Sequence, residues 1–263
     1  MIKTVSLFIS VCFLCGSSVA QTRIWRTVDG TIYEGTFEKT LFDKAYIRNA
    51  EGIFLKIPME ELSPPDLEYL FHNVPPEVSI DVRKKDRQQP LLEWSIPDDR
   101  TTLHTCKVRL TKTSNLPSQV KLTAELFIFG EEVDGENYVL VHRQQFVFVF
   151  PNEKKCVYEF EAVDIPFRHY YANWASQGGA EKYRGVTYLG YLVAVFDPQG
   201  NLIASDTSLR SQKWLSEDVA TSVEKLRALY INGRGSAFSR HFDTKFRKRT
   251  VPRMPWHERS NTF

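Results

Sequence analysis

The chain has 263 residues, 34 Lys and Arg against 32 Asp and Glu, and is 42% hydrophobic and 13% aromatic. That balance excludes a wholly disordered chain, a collagen repeat and a coiled coil, and at ~100–200 residues per domain it leaves room for one or two domains. No apolar run reaches the ~18–20 residues of a membrane-spanning helix.

Residues 1–20 read as a targeting segment. Lys3 supplies a positive start, residues 5–15 are largely apolar, and Gly16-Ser17-Ser18-Val19-Ala20 places small residues at the −3 and −1 positions before Gln21. This is the pattern of a secretory signal peptide cut after Ala20, which predicts an exported protein, periplasmic or extracellular. Cys12 follows Val11 and Cys15 follows Leu14, so neither has the small preceding residue of a lipoprotein anchor. Cleavage leaves Cys106, Cys156 and a net charge of +1. In an oxidising compartment the two cysteines permit a disulfide, worth ~4 kcal/mol by loop closure. The alternative is a pair of buried thiols on neighbouring strands. Two cysteines with no suitably spaced His make no zinc site, so neither metal nor cofactor is expected.

From 21 to 74 the pattern is a small antiparallel β unit. Arg23-Ile24-Trp25-Arg26-Thr27-Val28 is β-prone and runs into Asp29-Gly30, a hairpin signal. Further strands are expected over 31–41, 45–49 and 53–57, with a turn at Glu51-Gly52. Ser63-Pro64-Pro65-Asp66 then combines an N-cap, a proline at the first helical position and the acidic member of a capping box, opening a short helix. About fifty residues give a marginal core, for which closure into a barrel is the natural solution. Alternation puts Phe37, Ala45, Ile47, Leu55, Ile57 and Met59 on one buried face. Trp25, Tyr46 and Phe54 fall on the other, with Arg26, Arg48 and Lys56. Such a surface suits a peptide that carries an aromatic side chain and a carboxylate. In the competing reading Trp25 and Phe54 cover the barrel bottom or pack on the next domain.

The ordered set Trp25, Asp29, Gly30, Gly35, Phe37, Ala45, Ile47, Gly52, Leu55, Ile57, Met59, Leu62, Ser63, Asp66 and Tyr69 resembles the Sla homology domain of type one. That module occurs in yeast endocytic adaptors and in secreted or envelope proteins of planctomycete- and verrucomicrobia-like bacteria. The resemblance covers about a fifth of the chain and implies an SH3-like barrel with a protein-binding role. In the eukaryotic adaptors the module binds Asn-Pro-Phe-x-Asp peptides, and cytoskeletal and ubiquitin-related adaptor functions attach to the wider proteins. An exported copy has no endocytic partner, so that peptide specificity is not carried over.

Asn73-Val74-Pro75-Pro76 reads as a linker. Strands are then expected over 78–83, 106–112, 120–129, 138–150, 156–163, 186–196 and 202–205. Val120-Leu122-Ala124-Leu126-Ile128 alternates with Lys121 and Glu125 opposite, the signature of a half-buried antiparallel sheet. Asp134-Gly135 and Asp197-Pro198-Gln199-Gly200-Asn201 supply turns. The whole chain is therefore expected to be mainly β: the small SH3-like barrel, then an immunoglobulin-like antiparallel β-sandwich over 77–230 with one C-terminal helix. Residues 168–185 are expected as a loop in which His169, Tyr170, Tyr171 and Trp174 either stack on a sugar or peptide or cap the sandwich. The helix is expected over 217–230, N-capped by Ser216, with Val219, Val223, Leu226, Leu229 and Tyr230 on the stripe that docks on the sandwich.

Residues 231–263 hold eight Lys and Arg against two acids, among them Lys245, Arg247, Lys248, Arg249 and Arg253, with Phe238, Phe242, Phe246 and Trp256 interleaved. This predicts a flexible basic tail for an anionic lipid or polysaccharide, with no nucleic-acid partner. Four-residue Phe spacing also permits an interfacial helix, and the alternative is a tail folded across the protein's own acidic surface. No zinc-protease spacing, Gly-x-Ser-x-Gly elbow, phosphate loop or dinucleotide fingerprint is present. The expectation is a non-catalytic binding or adaptor protein; the alternative is an enzyme or carbohydrate-binding protein acting on envelope polymers through 168–185.

Overall fold

Glycine-bearing turns shape the first part of the chain. The computed structural model describes residues 22–89, 99–114, 118–151, 156–172, 182–229 and 241–249, with side chains undescribed at 171–172 and 182–183. Strand β1 (Arg23–Arg26) turns through Gly30 (φ +87°) into β2 (Ile32–Leu41), and β3 (Lys44–Arg48) turns through Gly52 (φ +79°) into β4 (Phe54–Pro58). The four pair antiparallel in that order. A 3-10 turn over Met59–Glu61 returns the chain to β1, where Val28 N–H donates to Glu61 O and Ser63 N–H to Arg26 O, both at 2.8 Å, beside a Thr27–Leu62 bridge. These bonds close the sheet around Trp25, Ala45, Ile47, Ile57 and Leu62, all buried.

Helix α1 (Pro64–Asn73) starts where expected, but Asp66 does not complete a capping box. Its buried carboxylate accepts the Arg26 N–H and the Ser63 hydroxyl, each at 2.8 Å, and pairs with the Arg23 guanidinium. The helix is thereby stapled to β1. Contacts divide the chain between Leu67 and Glu68, inside α1 and not at the prolines. Beyond that point the Phe71 carbonyl accepts Gln119 N–H at 2.9 Å and the Val74 carbonyl the Ser118 hydroxyl at 3.3 Å.

The second unit holds β5 (Val78–Gln88), β6 (Arg100–Lys112), β7 (Leu122–Glu132), β8 (Tyr138–Phe148), β9 (Val157–Ala172), β10 (Lys182–Phe196), β11 (Leu202–Thr207) and β12 (His241–Phe242). Their order is β12-β8-β7-β10-β9-β6-β5, with β11 also on β10. β10 pairs with β9 over 182–185 and then with β7 over 186–196. At the changeover Gly185 has φ +117°, and a Cβ there would lie 2.0 Å from Arg168 O. Only glycine fits. From this point the layers β5-β6-β9 and β7-β8-β10-β11 face each other, and Val108, Leu110, Phe160, Ala162 and Ile165 of one meet Leu122, Leu126, Ile128, Phe148, Val193 and Val195 of the other.

The β7–β10 layer is buried on its second face too. Phe127, Phe129, Leu192, Ala194 and Phe196 pack beneath α2 (Lys213–Ser216) and α3 (Val219–Leu229), through Leu215, Val223, Leu226 and Leu229. The half-buried sheet read from alternation is corrected: β7 is buried on both faces, and with it Glu125. Arg143 of β8 (2.9 Å) and Arg227 of α3 (2.8 Å from Nε) hold that carboxylate. Helix α3 is capped by Asp218, which accepts the Thr221 N–H at 3.0 Å, whereas Ser216 donates to Gln212 O.

The cysteines do not meet. Cys106 pairs across β6–β9 with Ala162, while the Cys156 carbonyl accepts the Lys112 N–H. Six positions along β6 separate the two sites, about 20 Å at strand rise, against Cα separations below ~7 Å in disulfides. Both thiols are buried, and that of Cys156 donates to Pro151 O at 3.1 Å. Burial pushes the Cys106 thiol up to about 11.

Two outcomes are expected. Glu125→Ala leaves two arginines facing a cavity and should cost about 3–5 kcal/mol in urea unfolding, as for a broken buried ion pair. Alkylation without reductant should spare Cys106 in the native protein and modify both Cys106 and Cys156 in denaturant; a peptide linking the two would contradict the register.

Candidate functional site

The surface anticipated on the barrel is built by β2, β3 and β4. Ala45 and Ile47 point inward, so Lys44, Tyr46 and Arg48 face out. Across β4, Tyr46 pairs with Lys56 and Arg48 with Phe54. On the other side β2 carries a bulge: Phe37 pairs with Ile47, but Lys39 and not Glu38 pairs with Tyr46. The extra residue turns Lys39 outward. Strict alternation from Phe37 would turn it inward, which is why sequence reasoning missed it.

Lys39 and Lys56 thus flank Tyr46, their ammonium nitrogens 5.8 and 5.7 Å from its ring centre, and the Arg48 guanidinium carbon lies 5.2 Å from that of Phe54. These are cation–π separations. Arg48 also meets Glu38 at 3.0 Å. Lys44 is exposed beside them and was likewise missed. Residues 22–67 carry six Lys and Arg against eight Asp and Glu, yet four of the six cations share this face. Like charges side by side on a sheet oppose its folding, and they draw anionic groups to it.

Trp25 is not part of this surface. It is fully buried, its Nε1–H donates to Gly35 O at 2.9 Å, and Phe37 lies 6.1 Å from it. The short β1 turns odd positions inward, which puts Trp25 in the core of this unit, whereas Phe54 stays 45% exposed. Arg26 is exposed but lies on β1, where it pairs with Ile32 of β2, and β2 separates it from β3. Tyr46, Arg48, Phe54 and Lys56 are brought together, and Trp25 and Arg26 are not.

Much of the expected 168–185 loop is strand. His169, Tyr170 and Tyr171 lie in β9 opposite Gly185, Arg184 and Tyr183. Tyr170 is buried beneath the Arg168 guanidinium, 5.1 Å from its ring, and is not presented for stacking on a ligand. Trp174 lies outside the described residues.

The tail expectation is corrected over 241–249. β12 adds to β8 at Tyr138 and Val139, and Phe242 and Phe246 stack at 5.8 Å against Trp214. Asp243 accepts the N–H groups of Lys245 (2.9 Å) and Arg247 (3.0 Å) and the guanidinium groups of Arg247 (2.8 Å) and Arg249 (2.7 Å). This segment is an ordered hairpin and not an interfacial helix. Lys245, Arg247, Lys248 and Arg249 are exposed on it; Arg253, Phe238 and Trp256 lie outside the described residues.

One cluster of displaced titratable groups sits in the sandwich. His104 stacks on Tyr188 at 4.8 Å and meets Phe167 edge-on at 4.8 Å, and its buried Nδ1 has no hydrogen-bond partner. Burial first, then the Lys84 charge, depress the His104 imidazole below its ordinary range, with Asp86 opposing. Burial pushes the Tyr188 phenol up to about 12. Desolvation by the core is the largest cause at both residues.

No family model matches the chain, and no curated protein matches it. Among solved structures it is similar to an X-ray structure of a Northeast Structural Genomics Consortium target, at 14% identity over 50% of this chain and 85% of that one, with a TM-score of 0.22. A score so low bears on neither fold nor function.

A depressed His104 makes stability pH-dependent. As pH falls through ~6.5 the unfolded chain takes up a proton that the folded chain refuses, so stability should drop until the lowered folded value is passed and then level off. His104→Phe should flatten that part of a urea-unfolding profile; an unchanged slope would exclude His104 as its source.

Proposed function

We propose that this is an exported, non-catalytic adaptor protein whose first unit recognises an acidic segment of a protein partner. The observation that carries the reading is the cationic and aromatic face formed by Lys39, Lys44, Tyr46, Arg48, Phe54 and Lys56 on an otherwise acidic unit. An extended chain laid on it would set carboxylates against the lysines and apolar side chains on Tyr46 and Phe54. Exposed ion pairs contribute ~0.2–1 kcal/mol each, so affinity would rest on several together with the rings. The likeness of residues 22–72 to the Sla homology domain of type one supports the same reading. The exposed basic hairpin at Lys245, Arg247, Lys248 and Arg249 suits a second, anionic contact such as a lipid or polysaccharide surface.

Panning a displayed library of random dodecapeptides against the full chain tests this. The expected pool is rich in Asp, Glu and aromatic residues. A peptide from it should lose about tenfold in affinity for the Lys39→Glu/Lys56→Glu variant, which corresponds to ~1.4 kcal/mol, and should weaken as salt rises. A pool without acidic bias, or one indifferent to the double reversal, would refute the reading.

A further inference from the structure

The loop between β2 and β3 carries a feature that folding does not explain. Phe42 and Asp43 both have positive φ, +49° and +57°. Two such residues in a two-residue hairpin loop form the turn that Asn and Gly adopt most readily, and a bulky aromatic residue in this region is an outlier. The ring is also 86% exposed, so it recovers none of that cost by burial. Leu41, 41% exposed, precedes it and pairs with Lys44 at the end of the cationic face. Both the backbone and the side chain of Phe42 thus work against the folded unit.

We infer that Leu41 and Phe42 are the apolar anchor through which this face docks on a protein partner. Apolar side chains of the partner cover the Phe42 ring, and its carboxylates meet Lys39, Lys44 and Lys56. This rests on the reading of the face given above and assigns its centre of affinity to a residue outside the cation–π rows. Local charge favours a protein over an anionic membrane. Asp43 stands at the apex beside the ring, and its carbonyl accepts the Met59 N–H at 2.9 Å, which brings the turn bearing Glu60 and Glu61 alongside. Head groups of one sign would repel these carboxylates. A protein surface can present donors to Glu60 and Glu61 and acids to the lysines at once.

The test compares the full chain with Phe42→Asn. Asn relieves the turn, so the thermal midpoint should rise by about 2 °C or more, while affinity for a peptide selected on the parent chain should fall at least about tenfold. If Phe42→Asn binds that peptide as the parent does while Lys39→Glu/Lys56→Glu does not, the anchor is overturned and the recognition face survives. A fall in the midpoint would make Phe42 a structural residue and overturn the anchor as well. Failure to select any peptide overturns both. Vesicles of equimolar phosphatidylcholine and phosphatidylglycerol that co-sediment the parent but not Phe42→Asn would reassign the tip to a lipid surface.

Discussion

Because β10 leaves β9 at Gly185 and continues beside β7, a run of antiparallel strands becomes two facing layers with a shared core. The β7–β10 layer then has apolar side chains on both faces, and the second face must be covered. Helices α2 and α3 and the segment at Phe242 and Phe246 cover it. Glu125 is the consequence of that second burial: a carboxylate in an apolar layer is tolerable only when charge partners reach it, and Arg143 and Arg227 do so from two different elements. Through Arg227 the same carboxylate ties α3 to β7.

The small unit solves a different problem. Fewer than fifty residues enclose few side chains, so its closure leans on Trp25 in the centre and on polar staples at the seam. Asp66 is the main one, joining the start of α1 to β1 through Arg23, Arg26 and Ser63. With Trp25 committed to the core, the aromatic surface that remains lies on β3 and β4. The bulge at Glu38 brings Lys39 to it, and the β2–β3 turn leaves Phe42 exposed at its end. Four of the six cations of residues 22–67 are concentrated on this face.

The same tension between local pattern and distant partner decided how much of the protein was legible. Turns at Gly30 and Gly52, the inward set Ala45, Ile47 and Ile57, and the stripe of α3 follow from rules that act over a few residues, and these were readable. So was the grouping of Tyr46, Arg48, Phe54 and Lys56, which needs only period-two alternation on two adjacent strands. Trp25 went astray because a four-residue strand does not declare which face is inner until the sheet closes. Lys39 did so because a one-residue bulge reverses every side chain beyond it.

The amino-acid sequence by itself determined the β-rich character, the turns and most strand centres, since these depend on steric preferences and hydrophobic period within one segment. Only the tertiary structure decided that Cys106 and Cys156 stay apart, that Glu125 is buried, that His169 and Tyr170 belong to a strand and that 241–249 is ordered. Each of those outcomes depends on which strand or helix, dozens of residues away, arrives on the other side. Register and layer order are long-range properties, and no local pattern encodes them.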